Sequence, residues 1–588
     1  MDEEYEKIEK VVGNQHKYQY ITLFISMIIW FATSYITVSV PFFVKRPQAE
    51  YFNSTSGQIM KVSKLTYQIC DEFEYNITKT YDYSLINQYN INCEKLKVGL
   101  IGSTISFAML VGAIIQAFLV DLIGRQKTLF YALMIHIPFI FSFNFIPTGE
   151  HNFYFIYIFC FFIEITGSCS YICAFLYICE MNTFKNRPIC SGFIKASISL
   201  CGIIHITIYY YFDNHFLNIN ISVILAIISF FSVMLVFFET PKYFFIKGNF
   251  TKFLVSFRNI AKFNNRFLKY DNYLTNKVET LEKIFYYEEI KAIEKRYSSS
   301  QDISESLTLN YHNLESDNNK SRSKSFLSTQ PVQEESEIRK KLFEVYKVNP
   351  NCERESEEDS SDLEVFEKKY QRIDKGKYLY TLFDIFKFKS QRWISLKLIF
   401  IWFSISGIYY TYGNVFVYFK GSLQLNGIIF YVIEMIFFIF SGYVVNFKNI
   451  GRIKLLVIFN ILALVGFIVY MIFTLPGYFR NIVAIFFKIS ISGIHVILFV
   501  YTYEVYPLVL RSKGFTVNII FGRFGALIFL PLLELAESFL MYIFVVILTI
   551  CLFVVVTLPE TVIKKDNDTL PPEKVDSEVI NDSDTIFN

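Results

Sequence analysis

Hydrophobic positions in this chain are gathered into long blocks separated by short polar stretches. Twelve runs, near 18–43, 97–120, 127–147, 152–179, 190–212, 219–238, 394–418, 425–446, 452–475, 480–503, 514–536 and 539–558, are almost continuously apolar. A helix needs about 20 such residues to cross ~30 Å of hydrocarbon, so the pattern predicts twelve membrane-spanning helices. The runs are too long and too evenly apolar for the tilted, alternating strands of a membrane barrel. The expected class is an all-α polytopic membrane protein, its spans grouped six and six.

The polar stretches set the organisation. Residues 1–17 read as a short lead. A first bundle over 18–238 carries one long loop at 44–96, and a central loop over 239–393 separates it from a second bundle at 394–560. The ends of the central loop have helical spacing, from Phe253 to Phe285 and at Leu382 to Phe386. Its centre, about 298–362, is rich in Ser, Asn, Asp and Glu with few aromatics, so it cannot bury enough apolar surface to offset ordering and is expected to be disordered. The 561–588 tail reads the same way. Ser321 to Ser325 alternates Ser with basic residues, which makes a cytosolic kinase or adaptor a candidate partner of this loop.

Composition agrees with lipid as solvent: 53% of residues are hydrophobic and 19% aromatic, with mean hydropathy +0.35. The net charge is only +3, and its placement is more informative. Arg125, Lys127, Lys185, Arg187, Lys448, Arg452, Lys454, Arg511 and Lys513 fall in alternate loops, while the other short loops hold little beyond Lys420 and Arg480. By the positive-inside bias, both termini and the central loop are expected in the cytoplasm of a multi-pass plasma-membrane protein. The first span, too long for a cleaved signal, is expected to act as its own targeting signal.

Most of the ten cysteines fall inside spans, where thiols pack as small apolar groups. Cys70 and Cys93 lie in the 44–96 loop beside sequons at Asn53 and Asn76. In an oxidising compartment these residues fit a disulfide and two glycans; two unpaired surface thiols are the other reading. Sequons at Asn249, Asn567 and Asn581 fall on the inner side and are expected to be silent.

A charged grammar then repeats. Asp121-Leu122-Ile123-Gly124-Arg125, Glu180 with Arg187, and Glu239-Thr240-Pro241 recur as Gly451-Arg452, Glu504 with Arg511, and Pro559-Glu560-Thr561. Partners sit about 320–327 residues apart, as parallel repeats of a duplicated bundle require. Asp121, Gly124, Arg125, Glu180, Arg187, Gly451, Arg452, Glu504 and Arg511 are therefore candidate members of a conformational gate at the inner helix ends.

The Asp121 to Lys127 stretch resembles the loop signature of the major facilitator superfamily. Within it, Glu239-Thr240-Pro241-Lys242-Tyr243-Phe244, Asn259 to Asn264, Trp402-Phe403, Tyr409-Tyr410, Glu504 to Arg511 and Leu558 to Thr561 are similar to the organic cation, organic anion and carnitine transporter branch, as is Gln19 before the first span. Lys448 replaces an acid and Ala117 a glycine of the family pattern. The resemblance implies the major facilitator fold and a carrier for a small organic ion, with no cofactor or metal and no nucleic-acid partner. It further implies that an acid in span 8 with an arginine in span 11, here Glu434 and Arg523, suits a zwitterion or a mixed substrate.

Five ionisable residues interrupt the runs, each costing roughly 2.5–3.5 kcal/mol at mid-helix: Glu164, Glu434, Lys488, His495 and Arg523. Glu164, Ser168 and Tyr171 share one helical stripe, as do Lys488, Ser492 and His495. With Trp402 and Tyr409, whose rings suit an organic cation, these five are the candidate substrate-binding residues. The competing reading is that the charges lock the bundle, Glu434 pairing with Arg523 or Lys488. No Walker loop, His/Cys cluster or nucleophile elbow points to an ATP-driven pump or an enzyme. A sugar porter and a non-transporting receptor or scaffold of the same fold are the alternatives.

Overall fold

The computed structural model of the chain describes residues 2–13, 15–43, 45, 48–53, 58–62, 77–81, 85–91, 93–212, 215–274, 277, 281, 382–386, 389–413, 419, 421–447, 450–472, 477–507, 510–535 and 537–561. It contains twelve helices long and apolar enough to cross a membrane. Spans 1–6 are Lys17–Phe43, Leu96–Ile123, Arg125–Phe145, Phe153–Met181, Arg187–Phe212 and Leu217–Val236. Spans 7–12 are Gln391–Thr411, Leu423–Val444, Arg452–Ile472, Tyr478–Val505, Arg511–Leu532 and Phe539–Val556. Lipid offers no hydrogen-bond partners, so a chain this apolar must satisfy its backbone within each helix.

Burial orders the spans around an axis. Spans 4 and 10 are 72% buried over their most apolar stretch, against 28% for span 12, so the two polar stripes lie at the centre of the molecule. The six-helix halves meet through spans 5 and 8 and spans 2 and 11. Small residues allow the close approach: a Cβ on Gly192 would lie 2.7 Å from the Phe438 carbonyl oxygen, and one on Gly442 would lie 2.7 Å from that of Pro188. Nearer the other end of the same spans, Gly202 packs on the Tyr431 ring.

The described chain begins and ends on one side, here named the terminal face. Within the lead read over residues 1–17, the chain forms a helix, Asp2–Val12. Its Tyr5 ring lies 5.4 Å from Phe257 and 6.2 Å from Phe253 of the surface helix Phe250–Phe263. Asn264 at the end of that helix accepts from the Tyr18 backbone N–H (2.9 Å) and donates to Gln19 (3.2 Å), joining two motifs 245 residues apart. The Asn249 sequon is spent on structure: its side chain caps this helix by accepting from Lys252 N–H at 2.9 Å.

On the opposite face the 44–96 loop adds a small departure from an all-helical chain. Strands β1 (Gln48–Asn53), β2 (Gln58–Val62) and β3 (Ile77–Tyr81) form an antiparallel sheet in the order β2-β1-β3, with Ala49 opposite Val62 and Gln48 opposite Tyr81. Cys93 is disulfide-bonded. Cys70, Asn76, the 298–362 centre and the tail beyond 561 lie outside the described residues.

Candidate functional site

At the terminal face each half ties one knot of charge. Span 2 ends at Gly124, whose φ of 96° is a left-handed conformation that only glycine adopts cheaply. The first turn of span 3 thus begins with unpaired N–H groups. Glu239, just beyond span 6, accepts from Arg125 N–H (2.8 Å) and Gln126 N–H (3.1 Å), where the helix dipole favours a carboxylate. A Cβ on Gly124 would collide with that carboxylate. The fully buried Arg125 side chain reaches Glu180 at 2.9 Å and the Val120 carbonyl at 3.3 Å. Thr240 donates to Glu180 at 2.7 Å, and Lys242 Nζ lies 3.5 Å from it.

The second half repeats the knot almost atom for atom. Gly451 has φ 72°. Glu560 accepts from Arg452 N–H and Ile453 N–H, both at 2.9 Å. Arg452 lies 3.2 Å from Glu504 and donates to the Val445 carbonyl at 2.9 Å, while Thr561 donates to Glu504 at 3.2 Å. The recurring seven-residue spacing is therefore no ion pair. Each glutamate crosses to the arginine of the Gly-Arg turn instead. Arg187 donates to the Cys179 carbonyl (2.9 Å) and lies 5.1 Å from the Tyr503 ring, and Arg511 donates to the Tyr506 carbonyl (3.1 Å).

Between the halves, Asp121 of span 2 forms an ion pair with Lys513 of span 11 and lies 3.8 Å from Arg125. Asn446 donates to the Lys185 carbonyl at 2.8 Å. These contacts close the terminal face. Two groups of the first knot lie beyond the span ends and carry displaced titrations. Burial pushes the Glu239 carboxyl up to about 7 against the pull of Arg125, and burial pushes the Lys242 ammonium down to about 7 against the pull of Glu180.

Deeper in, the polar stripes meet. Glu434 of span 8 accepts from Ser492 (2.9 Å) and, across the boundary between halves, from Ser199 of span 5 (3.0 Å). Lys488 Nζ lies 3.6 Å from Glu434, donates to the Tyr409 carbonyl at 3.0 Å and sits 3.5 Å from that ring's centroid. Of the two pairings open in the sequence, the one with Lys488 forms. Arg523 instead turns to the first half, donating to Tyr171 and to Met109 Sδ (3.3 Å), its guanidinium 4.3 Å from the Tyr410 ring. Glu164 accepts from Thr37 at 2.9 Å. His495 stacks on Tyr409 at 4.3 Å. Trp402, 1% exposed, donates to Thr502 at 2.8 Å and packs on Phe499 at 4.8 Å, so it frames the site.

The halves correspond here too. Glu164, Ser168, Tyr171 and Phe175 fall 324 residues before Lys488, Ser492, His495 and Phe499. Trp30 packs on Tyr171 (5.0 Å) and Phe175 (6.5 Å) much as Trp402 packs on His495 (6.0 Å) and Phe499 (4.8 Å).

Several participants escape the sequence reading: Ser199, Lys513, Lys195, and the roles of Glu239 and Glu560. The recurrence of Glu-Thr beside proline was the available signal for the last two. For Lys195, an expected span start at 190 leaves the ammonium within snorkelling reach of the interface. The helix starts earlier, at Arg187, and Lys195 is 1% exposed.

Twelve spans in two corresponding halves, knotted on one face around a buried charged centre, define a duplicated polytopic membrane protein. The sequence profile of the Major Facilitator Superfamily matches residues 22–530, and the chain belongs to that family. It is 30% identical over 166 residues to "Solute carrier family 22 member 15-like" of Xenopus tropicalis, covering 27% of this chain and 34% of that protein. It is 28% identical over 185 residues to "Organic anion transporter 3" of Rattus norvegicus, 29% of this chain and 32% of that one. The matched segment thus spans about a third of the length of these curated relatives. Among solved structures, the proton:xylose symporter XylE with 6-bromo-6-deoxy-D-glucose aligns over 92% of this chain and 96% of its own, at TM-score 0.55 and 12% identity, a likeness of fold.

Proposed function

We propose that the protein is a secondary or facilitative carrier that moves small organic ions by rocking its two halves about the buried centre, with both termini in the cytoplasm of the plasma membrane. One observation carries this reading: Glu434 and Arg523, each set deep in the second half, both bond to groups of the first half. A charged guest at that boundary would exchange those bonds for its own, which couples occupancy to the separation of the halves. The named relatives, a family 22 solute carrier and an organic anion transporter, lend support from sequence.

In this reading Asp121, Lys513 and the two knots are the cytoplasmic gate. Glu434, Arg523, Lys488, Glu164, His495 and Tyr409 line or adjoin the cargo position, with Trp402 behind them. The test is flux through the purified protein in liposomes. Glu434→Gln and Arg523→Ala should each lower uptake of a transported organic ion at least tenfold without loss of folded protein. Undiminished flux in both would reject the site. Competition by a hexose but not by charged metabolites would favour the sugar-porter alternative, and no flux of any solute the receptor alternative.

A further inference from the structure

Lys195 places an amine at the boundary between the halves, and no side chain described beside it pairs with it through a hydrogen bond or an ion pair. It is buried in span 5, with Nζ 3.6 Å from the centroid of Phe499 and 4.7 Å from that of Trp30. Among the described residues its contacts are with these two rings, with no ion pair or hydrogen bond beside them. Glu434, Arg523 and Glu164 each make at least one side-chain hydrogen bond. Glu434 has Lys488, Ser199 and Ser492; Arg523 has Tyr171, Tyr410 and Met109; Glu164 has Thr37.

Aromatic faces offset part of an ammonium's desolvation, but they supply no counter-charge. Polar groups beside these rings are unsatisfied as well. Trp30 Nε1, which can only donate, is buried without a partner, and so is Nδ1 of His495. His495 lies 5.0 Å from the same Phe499 ring that faces Lys195. One unpaired amine, one unmatched N–H and one unmatched ring nitrogen border the same rings. The amine and the indole N–H both lack an acceptor with lone pairs.

We propose that Lys195 is the anchoring cation for an anionic cargo: a small organic acid whose carboxylate pairs with its ammonium while the apolar remainder lies along Trp30 and Phe499. This rests on the carrier reading above and narrows it, because Glu434, the acid that would greet a cationic end, is already neutralised by Lys488. Trp30 and Lys195 belong to the first half and Phe499 to the second, so an acid bound here touches both.

The test uses the full-length protein and three probes on one skeleton: 3-phenylpropionate, 3-phenylpropylamine and 3-phenylpropanol. Binding is read as thermal stabilisation in detergent, and flux as uptake into liposomes. The acid should stabilise wild type and K195R, with at least a tenfold loss of apparent affinity in K195M, while the amine and alcohol stabilise neither. K195Q replaces K195M should the latter not fold. Equal acid affinity in wild type and the neutral variant, preference for the amine, or no binding of any probe overturns the anchor. Amine flux independent of Lys195 would spare the carrier reading and reject this one. Lys195-dependent acid binding without flux would do the reverse.

Discussion

Gly124 and Gly451 make the same demand at the scale of single residues. Each reverses the chain between two spans at positive φ, and each leaves room for a glutamate from the far end of its half to lie where a Cβ would be. The arginine that follows is then buried against Glu180 or Glu504. Breaking a buried pair strands its partner, at about 3–5 kcal/mol. Arg125→Gln should therefore lower the unfolding midpoint of the detergent-solubilised protein sharply, while Lys127→Gln on the same turn should not.

The displaced titrations of Glu239 and Lys242 give a pH signature. A carboxyl raised from 4.5 to about 7 contributes stability that is present below 4.5 and lost as pH rises through 7. An ammonium lowered from 10.5 to about 7 contributes stability that is present above 10.5 and lost as pH falls through 7. Glu239→Gln should flatten the thermal-stability profile between pH 4.5 and 7 alone. Lys242→Met should flatten it above pH 7 alone. Slopes that do not move in those windows would refute the assignment.

Residue identities were legible wherever chemistry is rare. A charge in an apolar run stands out, which is why Glu164, Glu434, Lys488 and Arg523 were found. Which charge meets which was not legible, because pairing depends on helix rotation. Glu180 lies seven residues from Arg187 in the chain yet bonds to an arginine 55 positions away.

Among elements, the spans were readable from the apolar blocks because a lipid solvent leaves the backbone no choice but helix. The N-terminal helix was not, since eleven polar and apolar residues are too short to fold without the Phe253 and Phe257 surface they dock on. The sheet of the 44–96 loop was missed for the same reason: short strands take their partners from elsewhere in the loop. Spans 5 and 8 supply a sharper test. A valine at Gly192 would press on the Phe438 carbonyl and on the Gly442 backbone, atoms that cannot rotate away. Gly192→Val should cost about 1–3 kcal/mol of stability, seen as a lowered midpoint, whereas Leu235→Val at an exposed position of span 6 should leave it within error.

The whole molecule is two related halves held shut on one face. Among the described residues, Asp121 and Lys513 form a direct ion pair between them there. Removing it with Asp121→Asn should favour opening on that side. The buried native thiols Cys179 and Cys190 report it: their labelling by a soluble maleimide should quicken several-fold in the variant, with no change for Cys160 toward the opposite face. Duplication was legible from the repeated motifs. The chemical divergence of the halves was legible only once Glu164 and Lys488 were seen to occupy corresponding places with opposite signs.

The glutamate caps also bear on how the chain is made. Glu239 reaches the turn at Arg125 from 114 residues downstream, and Glu560 reaches Arg452 from 108. While the ribosome is still feeding either half into the translocon, that turn waits with bare N–H groups and an unlatched arginine. Each half can set only when its sixth helix has emerged, which makes the half, rather than the helix hairpin, the unit of biogenesis. A nascent chain stopped just short of Glu560 would hold all twelve helices and still leave its second half unfastened.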